Sequence, residues 1–392
     1  MADVKLQTIP VGSLGIIAMD NIKSLSEKVD AYVASWRSER EKTSNENALH
    51  FMGYQRDSYI LEARAPRFGS GEGKGQILES VRGMDVYILV DVLNYSLTYK
   101  LCGMINHYSP DDHYQDLKRI IGAIQGKANR ISVIMPFLYE SRQHRRTARE
   151  SLDCAEMLQE LFALGIENFI TFDAHDPRVQ NAIPNKGFEN VPCTYQFIKA
   201  LVRSAPDIRF DSDHLVVISP DEGGTSRAVT FANYLNVNVG MFYKRRDYTR
   251  IVNGTNPIIA HEYLGNDLDG KDVLIVDDMI SSGGSMLEVA RELKARNANR
   301  VFVAATFGLF TNGLKKFDKA YEDGFITKVL TTNLTYQKPE LFERPYYVSV
   351  DLSKYIALII DTLNHNGSLA DLLSPTDRIN RFLEKHRKEI GE

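Results

Sequence analysis

The sequence predicts an α/β protein built on mostly parallel sheets, and three observations lead there. Short apolar runs alternate with helix-periodic segments through most of the 392 residues, which is the pattern of βαβ units. The runs are rich in Val and Ile and show little polar alternation, as strands buried on both faces do. Several end in a carboxylate followed by a Gly- or Ser-rich loop, the place where open α/β sheets bind ligands.

Taken in order, strands are expected at 86–90, 131–135, 169–172, 215–218, 237–242, 273–276, 301–305 and 347–350. Helices are expected at 22–42, 116–124, 152–164, 225–235, 286–295 and 354–363. So many strands suit two doubly wound domains better than one. A closed eight-fold barrel fits the count alone, but not the strand-end motifs. The expected domains are 1–190 and 191–392. Residues 43–64 are polar and aperiodic and read as an insertion. The charged stretch 375–392 reads as a helix-like tail with a solvated face.

Composition narrows the function. Apolar content of 43% and charged content of 25% describe a soluble globular chain. A net charge of −4 argues against a general nucleic-acid binder. Cys102, Cys154 and Cys193 form no CxxC pair, and so few cysteines suit a reducing cytoplasm. The N-terminus lacks an apolar leader and no apolar run is long enough to span a bilayer, so no membrane role is expected.

The most informative motif is Val273-Leu-Ile-Val-Asp277-Asp278-Met-Ile-Ser281-Ser282-Gly283-Gly284-Ser285. A buried strand delivers two carboxylates, and a small-residue loop then opens a helix. Backbone N–H groups of such a loop, with the helix N-terminus, form an anion cradle. Carboxylates only accept hydrogen bonds, so the pair suits the neighbouring hydroxyls of a sugar. A capped structural turn is the plainer reading, but it needs only one aspartate, and two repel.

Other strand ends carry chemistry too. Ser219-Pro220-Asp221 with Gly223-Gly224 offers Asp221 to a divalent cation, or an exposed turn aspartate, with Thr225 as a helix cap. Asp173-Ala-His175 offers a metal-associated imidazole, or a structural one. Tyr243-Lys244-Arg245-Arg246 offers a cationic clamp for polyphosphate, or a solvated turn. Arg142-Gln143-His144-Arg145-Arg146 lies in an arginine-rich loop without apolar anchors, a candidate mobile lid over phosphates. The Gly69–Gly75 stretch fails both the Walker and the dinucleotide patterns, because Phe68, Lys74 and Gly75 stand where those patterns need other residues.

Together and in order, these segments closely resemble ribose-phosphate pyrophosphokinases, also called phosphoribosyl pyrophosphate synthetases. The segments that carry the likeness also include Arg67-Phe68-x-x-Gly71-Glu72 and Glu79-Ser-Val-Arg-Gly83. The resemblance implies two type I phosphoribosyltransferase-like domains related by a pseudo-twofold. It implies Mg²⁺-ATP and ribose 5-phosphate as substrates, with phosphoribosyl pyrophosphate and AMP as products. It assigns Lys244 and Arg246 to catalysis. Phe68, Ser70, Glu72, Arg142, Gln143 and Arg145 go to ATP. Asp277, Asp278, Ser281, Ser282, Gly283, Gly284 and Ser285 go to ribose 5-phosphate, and His175 and Asp221 to metal. A neighbouring subunit supplies the Phe68 segment, so a dimer-based homo-oligomer, up to a hexamer, follows.

The sequence departs from the family at three places. Ser281 and Ser282 replace an acidic residue and Thr, and Ser70 replaces Asn or Asp. The stretch 43–64 lengthens the chain. A non-catalytic regulatory homologue and a phosphoribosyltransferase remain as alternatives at this level. The first is disfavoured by the retained Lys244 and Arg246. The second has no need of the Arg142 loop or the Phe68 segment.

Overall fold

The computed structural model describes residues 9–43, 51–246 and 258–391. The chain forms two compact units. One comprises Met1–Pro192, Asn333–Tyr336 and Asp351–Ser374; the other comprises Cys193–Thr332, Gln337–Val350 and Pro375–Glu392. A single cut at 190 therefore does not divide the chain: two later segments belong with the first unit.

The first unit holds a five-stranded parallel sheet. Its order is Ser13–Ala18, Met84–Leu89, Arg130–Ile134, Asn168–Phe172, Gly187–Val191. Ile60 adds a parallel bridge to Ile16. The helix Pro110–Ile124 opens on a capping box, Ser109 with Asp112, and carries Pro at its start. That cap fixes the helix six residues earlier than the 116 expected from apolar periodicity.

The helix Ser353–Asn364 joins this unit by packing on Lys23–Thr43. Arg37, with 1% of its side chain exposed, donates to Asp361 at 3.1 Å and to Asn364 at 2.7 Å. Arg40 donates to the other Asp361 oxygen at 2.6 Å. A buried guanidinium needs such a partner. This is why the segment leaves its sequence neighbours for the first unit.

Of the expected insertion, residues 44–50 lie outside the described residues. The rest is packed rather than loose: Tyr54, Tyr59 and Leu61 are buried. Asp30 accepts from Ser58 Oγ and from the Tyr59 N–H, both at 2.7 Å.

The second unit holds a seven-stranded sheet. Its order is Ile258–Leu264, Asn238–Arg246, Leu215–Ser219, Asp272–Ile280, Val301–Gly308, Lys328–Thr332, Tyr347–Val350. All neighbours are parallel except the first pair. Leu215–Ser219 and Val301–Gly308 are buried along their whole length, as central parallel strands require. Strand order reverses between Leu215–Ser219 and Asp272–Ile280. That reversal opens a crevice at the carboxyl ends of the two strands.

The terminal helix Thr376–Ile390 is not a solvated tail. Ile379, Leu383 and His386 are buried, and the His386 ring meets Ile208 O at 2.8 Å. Its charged residues occupy the other face, and the apolar stripe docks on the helix Thr194–Ser204. No helix among the described residues is long and apolar enough to cross a membrane.

Candidate functional site

In the second unit, the strand Asp272–Ile280 carries Asp277 and Asp278 to the point of reversal. The Asp277 Oδ1 accepts the Asp278 N–H at 2.8 Å. Burial first, and then the Asp278 charge, hold the Asp277 carboxyl well above the usual carboxylate range. Arg227 opposes this. Its Nη1 lies 3.9 Å from Asp277 Oδ1 and 3.9 Å from Asp278 Oδ1. The sequence reading missed Arg227. A cation in the first turn of a helix, where the macrodipole disfavours it, was the available signal.

The next loop demands glycine at one place. Gly283 has φ +76, and a Cβ there would lie 2.2 Å from Phe317 Cζ. The aromatic ring, itself against Phe310 at 5.1 Å between centroids, thus presses the loop backbone into its cradle. The helix Gly284–Ala295 starts directly after it with no side-chain cap. Residues 281–285 therefore present main chain and hydroxyls at a helix N-terminus, beside two carboxylates. That combination accommodates a phosphate and a diol together.

Asp221 closes the neighbouring side. Its Oδ1 accepts the Gly223 N–H at 3.0 Å and the Gly224 N–H at 3.3 Å. Thr225 does not cap the helix as expected. Gly224 is the cap residue, and the Thr225 hydroxyl donates to Asp221 O at 3.4 Å. A Cβ on Gly224 would stand 2.9 Å from Ser219 Oγ and 3.8 Å from Asp277 Oδ1. The Asp221 turn and Asp277 thus share one crevice.

Lys244 and Arg246 end the strand Asn238–Arg246, where Lys244 pairs with His261. Their side chains lie outside the described residues. The backbone register still locates them. Ser219 aligns with Met241, and Ile218 with Ile275. Lys244 and Asp277 therefore leave the same carboxyl edge of one sheet, two strands or about 10 Å apart.

In the first unit the expected residues form two groups. The Arg142 loop and His175 come together. The His144 ring centroid is 5.5 Å from that of His175, and His144 Nε2 is 3.4 Å from Asp176 Oδ2. Arg178 holds the Asp176 carboxyl down at about 2. Polar bonds hold the loop in place of apolar anchors. Gln143 donates to Ser151 O at 2.8 Å, and Thr147 to Glu150 at 3.1 Å. Arg142 and Arg145 are exposed.

Phe68, Ser70 and Glu72 form the second group, on a solvent-facing turn. Ser70 Oγ donates to Glu72 at 2.9 Å. A small crevice opens elsewhere in this unit, lined among others by Asp20, Asn21, Tyr108, His113 and Asp116. It takes in none of the residues expected from sequence.

Among the described residues no cluster of three or more His, Cys, Asp or Glu could hold a metal ion. Asp221 and His175 belong to different units. An oxygen donor such as Asp221 suits a Mg²⁺ that keeps water and substrate phosphates as most of its ligands; an imidazole such as that of His175 suits it less well.

Comparison with known proteins accords with this geometry. A family described as the N-terminal domain of ribose phosphate pyrophosphokinase matches residues 14–165. A phosphoribosyl transferase domain family matches residues 195–339. Ribose-phosphate pyrophosphokinases from Vibrio parahaemolyticus and Shewanella oneidensis are each 28% identical, over 80% of this chain and 91% of theirs. One from Synechocystis is 28% identical over 78% of this chain and 83% of its own. The crystal structure of phosphoribosylpyrophosphate synthetase from Mycobacterium smegmatis superposes with a TM-score of 0.70 at 20% identity. It covers 91% of this chain and 100% of the other, a likeness of fold.

Proposed function

We propose that this chain, which belongs to the ribose-phosphate pyrophosphokinase family and is an enzyme of that class with two domains of the phosphoribosyltransferase type, transfers the pyrophosphoryl group of Mg²⁺-ATP to the anomeric hydroxyl of ribose 5-phosphate, giving phosphoribosyl pyrophosphate and AMP.

The observation that carries this reading is the junction of Asp277 and Asp278 with the Gly283 loop at the strand-order reversal. The two carboxylates accept from the ribose hydroxyls. The loop 281–285 and the helix N-terminus hold the 5-phosphate. The sugar is then fixed at both ends, and its anomeric oxygen has one orientation.

The anomeric oxygen attacks the β-phosphorus, the bond from that phosphorus to the α-phosphate oxygen breaks, and AMP leaves. Such a transfer needs alignment and charge neutralisation more than covalent help. Lys244 and Arg246 supply positive charge at the edge facing the sugar. Arg142, Gln143 and Arg145 bind the donor phosphates. Asp221 and His175 would hold Mg²⁺, which supplies charge neutralisation on the phosphate oxygens when bound. Ser281 and Ser282 bring hydroxyls and no further negative charge to the sugar.

Phe68, Ser70 and Glu72 receive the nucleobase. Their turn faces solvent, and a base pocket needs a second wall, so a second copy of this chain supplies it in a dimer-based assembly. We place the enzyme in the cytoplasm, where its three cysteines, none in a disulfide, stay reduced. The test is a rate assay with Mg²⁺, ATP and ribose 5-phosphate. AMP release dependent on the sugar phosphate supports the reading; ATP turnover indifferent to it overturns the reading.

A further inference from the structure

A buried cation lies behind the turn that carries Phe68, Ser70 and Glu72. Arg67 keeps 5% of its side chain exposed, pairs with Asp116, and reaches Asp112 at 3.5 Å. Its guanidinium sits 5.3 Å from the Tyr99 ring centre and 5.0 Å from that of Tyr108. The two rings meet edge to face at 5.0 Å. Arg67 Nε is shielded from water and has no partner. Two rings and two carboxylates, rather than a complete set of hydrogen bonds, therefore decide where this side chain lies.

Tyr99 lies on a hairpin formed by Thr98–Leu101 and Met104–His107, and Tyr108 follows it directly. The hairpin tip grips the turn. The Cys102 N–H donates to Gly69 O at 2.9 Å. Gly71 has φ +89, and a Cβ there would stand 2.6 Å from Leu101 Cδ1. Internal bonds fix the turn's shape: Phe68 N–H to Glu72 O at 2.7 Å and Gly71 N–H to Phe68 O at 2.9 Å. They do not fix its place. A short ribbon of this kind holds position poorly by itself, and Phe68 is 52% exposed.

We infer that the 98–107 hairpin positions the nucleobase turn and so sets affinity for, and discrimination among, nucleotide donors. Tyr99 and Tyr108 clamp Arg67, and Arg67 orients its neighbour Phe68. These three are positioning residues that act through the turn and do not touch the nucleotide. The inference rests on the assignment of Phe68, Ser70 and Glu72 to the nucleobase. The hairpin bonds to the turn assigned to the nucleotide, so its effect is expected on the donor.

The test uses the full chain in initial-rate assays with Mg²⁺, ATP and ribose 5-phosphate, comparing Phe68→Ala, Tyr99→Leu, Tyr99→Phe and the Phe68→Ala/Tyr99→Leu double variant. Phe68→Ala and Tyr99→Leu should each raise KM for ATP roughly 10-fold, the scale of one desolvated aromatic–cation contact. KM for ribose 5-phosphate and kcat should stay within about twofold by the same reasoning. Tyr99→Phe keeps the ring face and should stay near wild type. The double variant should be no worse than the worse single one, because both act through the same turn.

Three results would overturn the inference. If Phe68→Ala raises KM for ATP but Tyr99→Leu does not, the hairpin has no such role. If the two effects multiply in full, the hairpin acts elsewhere. If Phe68→Ala changes nothing, the nucleobase assignment falls and takes the inference with it. Should Tyr99→Leu fail to fold, Leu101→Ala at the hairpin tip is read by the same three criteria.

Discussion

Arg227 stands 3.9 Å from a carboxylate oxygen of Asp277 and equally far from one of Asp278. One guanidinium thus opposes the burial and the Asp278 charge that hold the Asp277 carboxyl above the usual carboxylate range. The diol site works as an acceptor only when these carboxylates are ionised, so its pH response passes through Arg227.

The first prediction follows from that relationship. Asp277 is already raised above the usual carboxylate range, and Arg227 is the group that lowers it. Activity limited by ribose 5-phosphate binding should therefore rise with pH through the Asp277 titration. Arg227→Met removes the opposing charge and should move the acid limb of kcat/KM for ribose 5-phosphate to higher pH. A pH–rate profile checks this, and superimposable profiles would refute it.

Gly283→Ala forces a side chain into φ +76 and against Phe317. The left-handed conformation alone costs an L-residue about 1–2 kcal/mol. Melting temperature should fall, and KM for ribose 5-phosphate should rise more than KM for ATP. Equal rises in both constants would mean that the loop does not serve the sugar phosphate.

Asp91 gives a stability prediction. Burial pushes its carboxyl up to about 7, although the Leu93 and Tyr336 N–H groups both donate to it. A folded-state value above the unfolded one means that the folded state binds the extra proton. This contribution to stability is complete below the unfolded value near 4 and is lost as pH rises to about 7. The wild type should lose stability relative to Asp91→Asn across that window, with a slope of at most about 1.4 kcal/mol per pH unit. Denaturant melts at several pH values measure the difference, and a constant difference would contradict the assignment.

Asp361 behaves in the opposite sense. Burial works against its ionisation, but Arg37 and Arg40 hold its carboxyl below the ordinary value. Its contribution is present above that ordinary value and lost as pH falls through the depressed one. Asp361→Ala strands two guanidiniums, one of them fully buried, and should cost about 3–5 kcal/mol. Urea melts would show it, and a loss under 1 kcal/mol by the same yardstick would argue that solvent reaches Arg37.

The strands Tyr347–Val350 and Asn168–Phe172 were legible almost to the residue, because their Tyr, Val, Phe, Ile and Thr favour extended backbone. The strand through Asp277 was read short, ending at 276, because two charges interrupt its apolar run while its ladder with Val301–Gly308 continues to Ile280. Gly187–Val191 escaped notice because an edge strand tolerates Glu189 and Asn190. The spacing of Ile379, Leu383 and His386 already marked one buried face of the last helix; the surrounding charge obscured it.

The site divides the same way. Asp277, Asp278 and the Gly283 loop are contiguous and readable. The clamp around Arg67 exists only in three dimensions. Nothing in a linear sequence relates Tyr99 to Arg67, since a hairpin must fold back to bring them together.

The transfer itself is tested most directly with ATP labelled separately at its α- and β-phosphates, supplied with Mg²⁺ and ribose 5-phosphate to the wild type and to Lys244→Ala. The α-label should appear in AMP and the β-label in the sugar pyrophosphate, in equal amounts. Lys244→Ala should slow both by roughly 10²–10³-fold, the scale of removing one preorganised charge stabiliser, while its melting curve is unchanged. Release of labelled ADP, or equal rates in the two proteins, would contradict pyrophosphoryl transfer at this site.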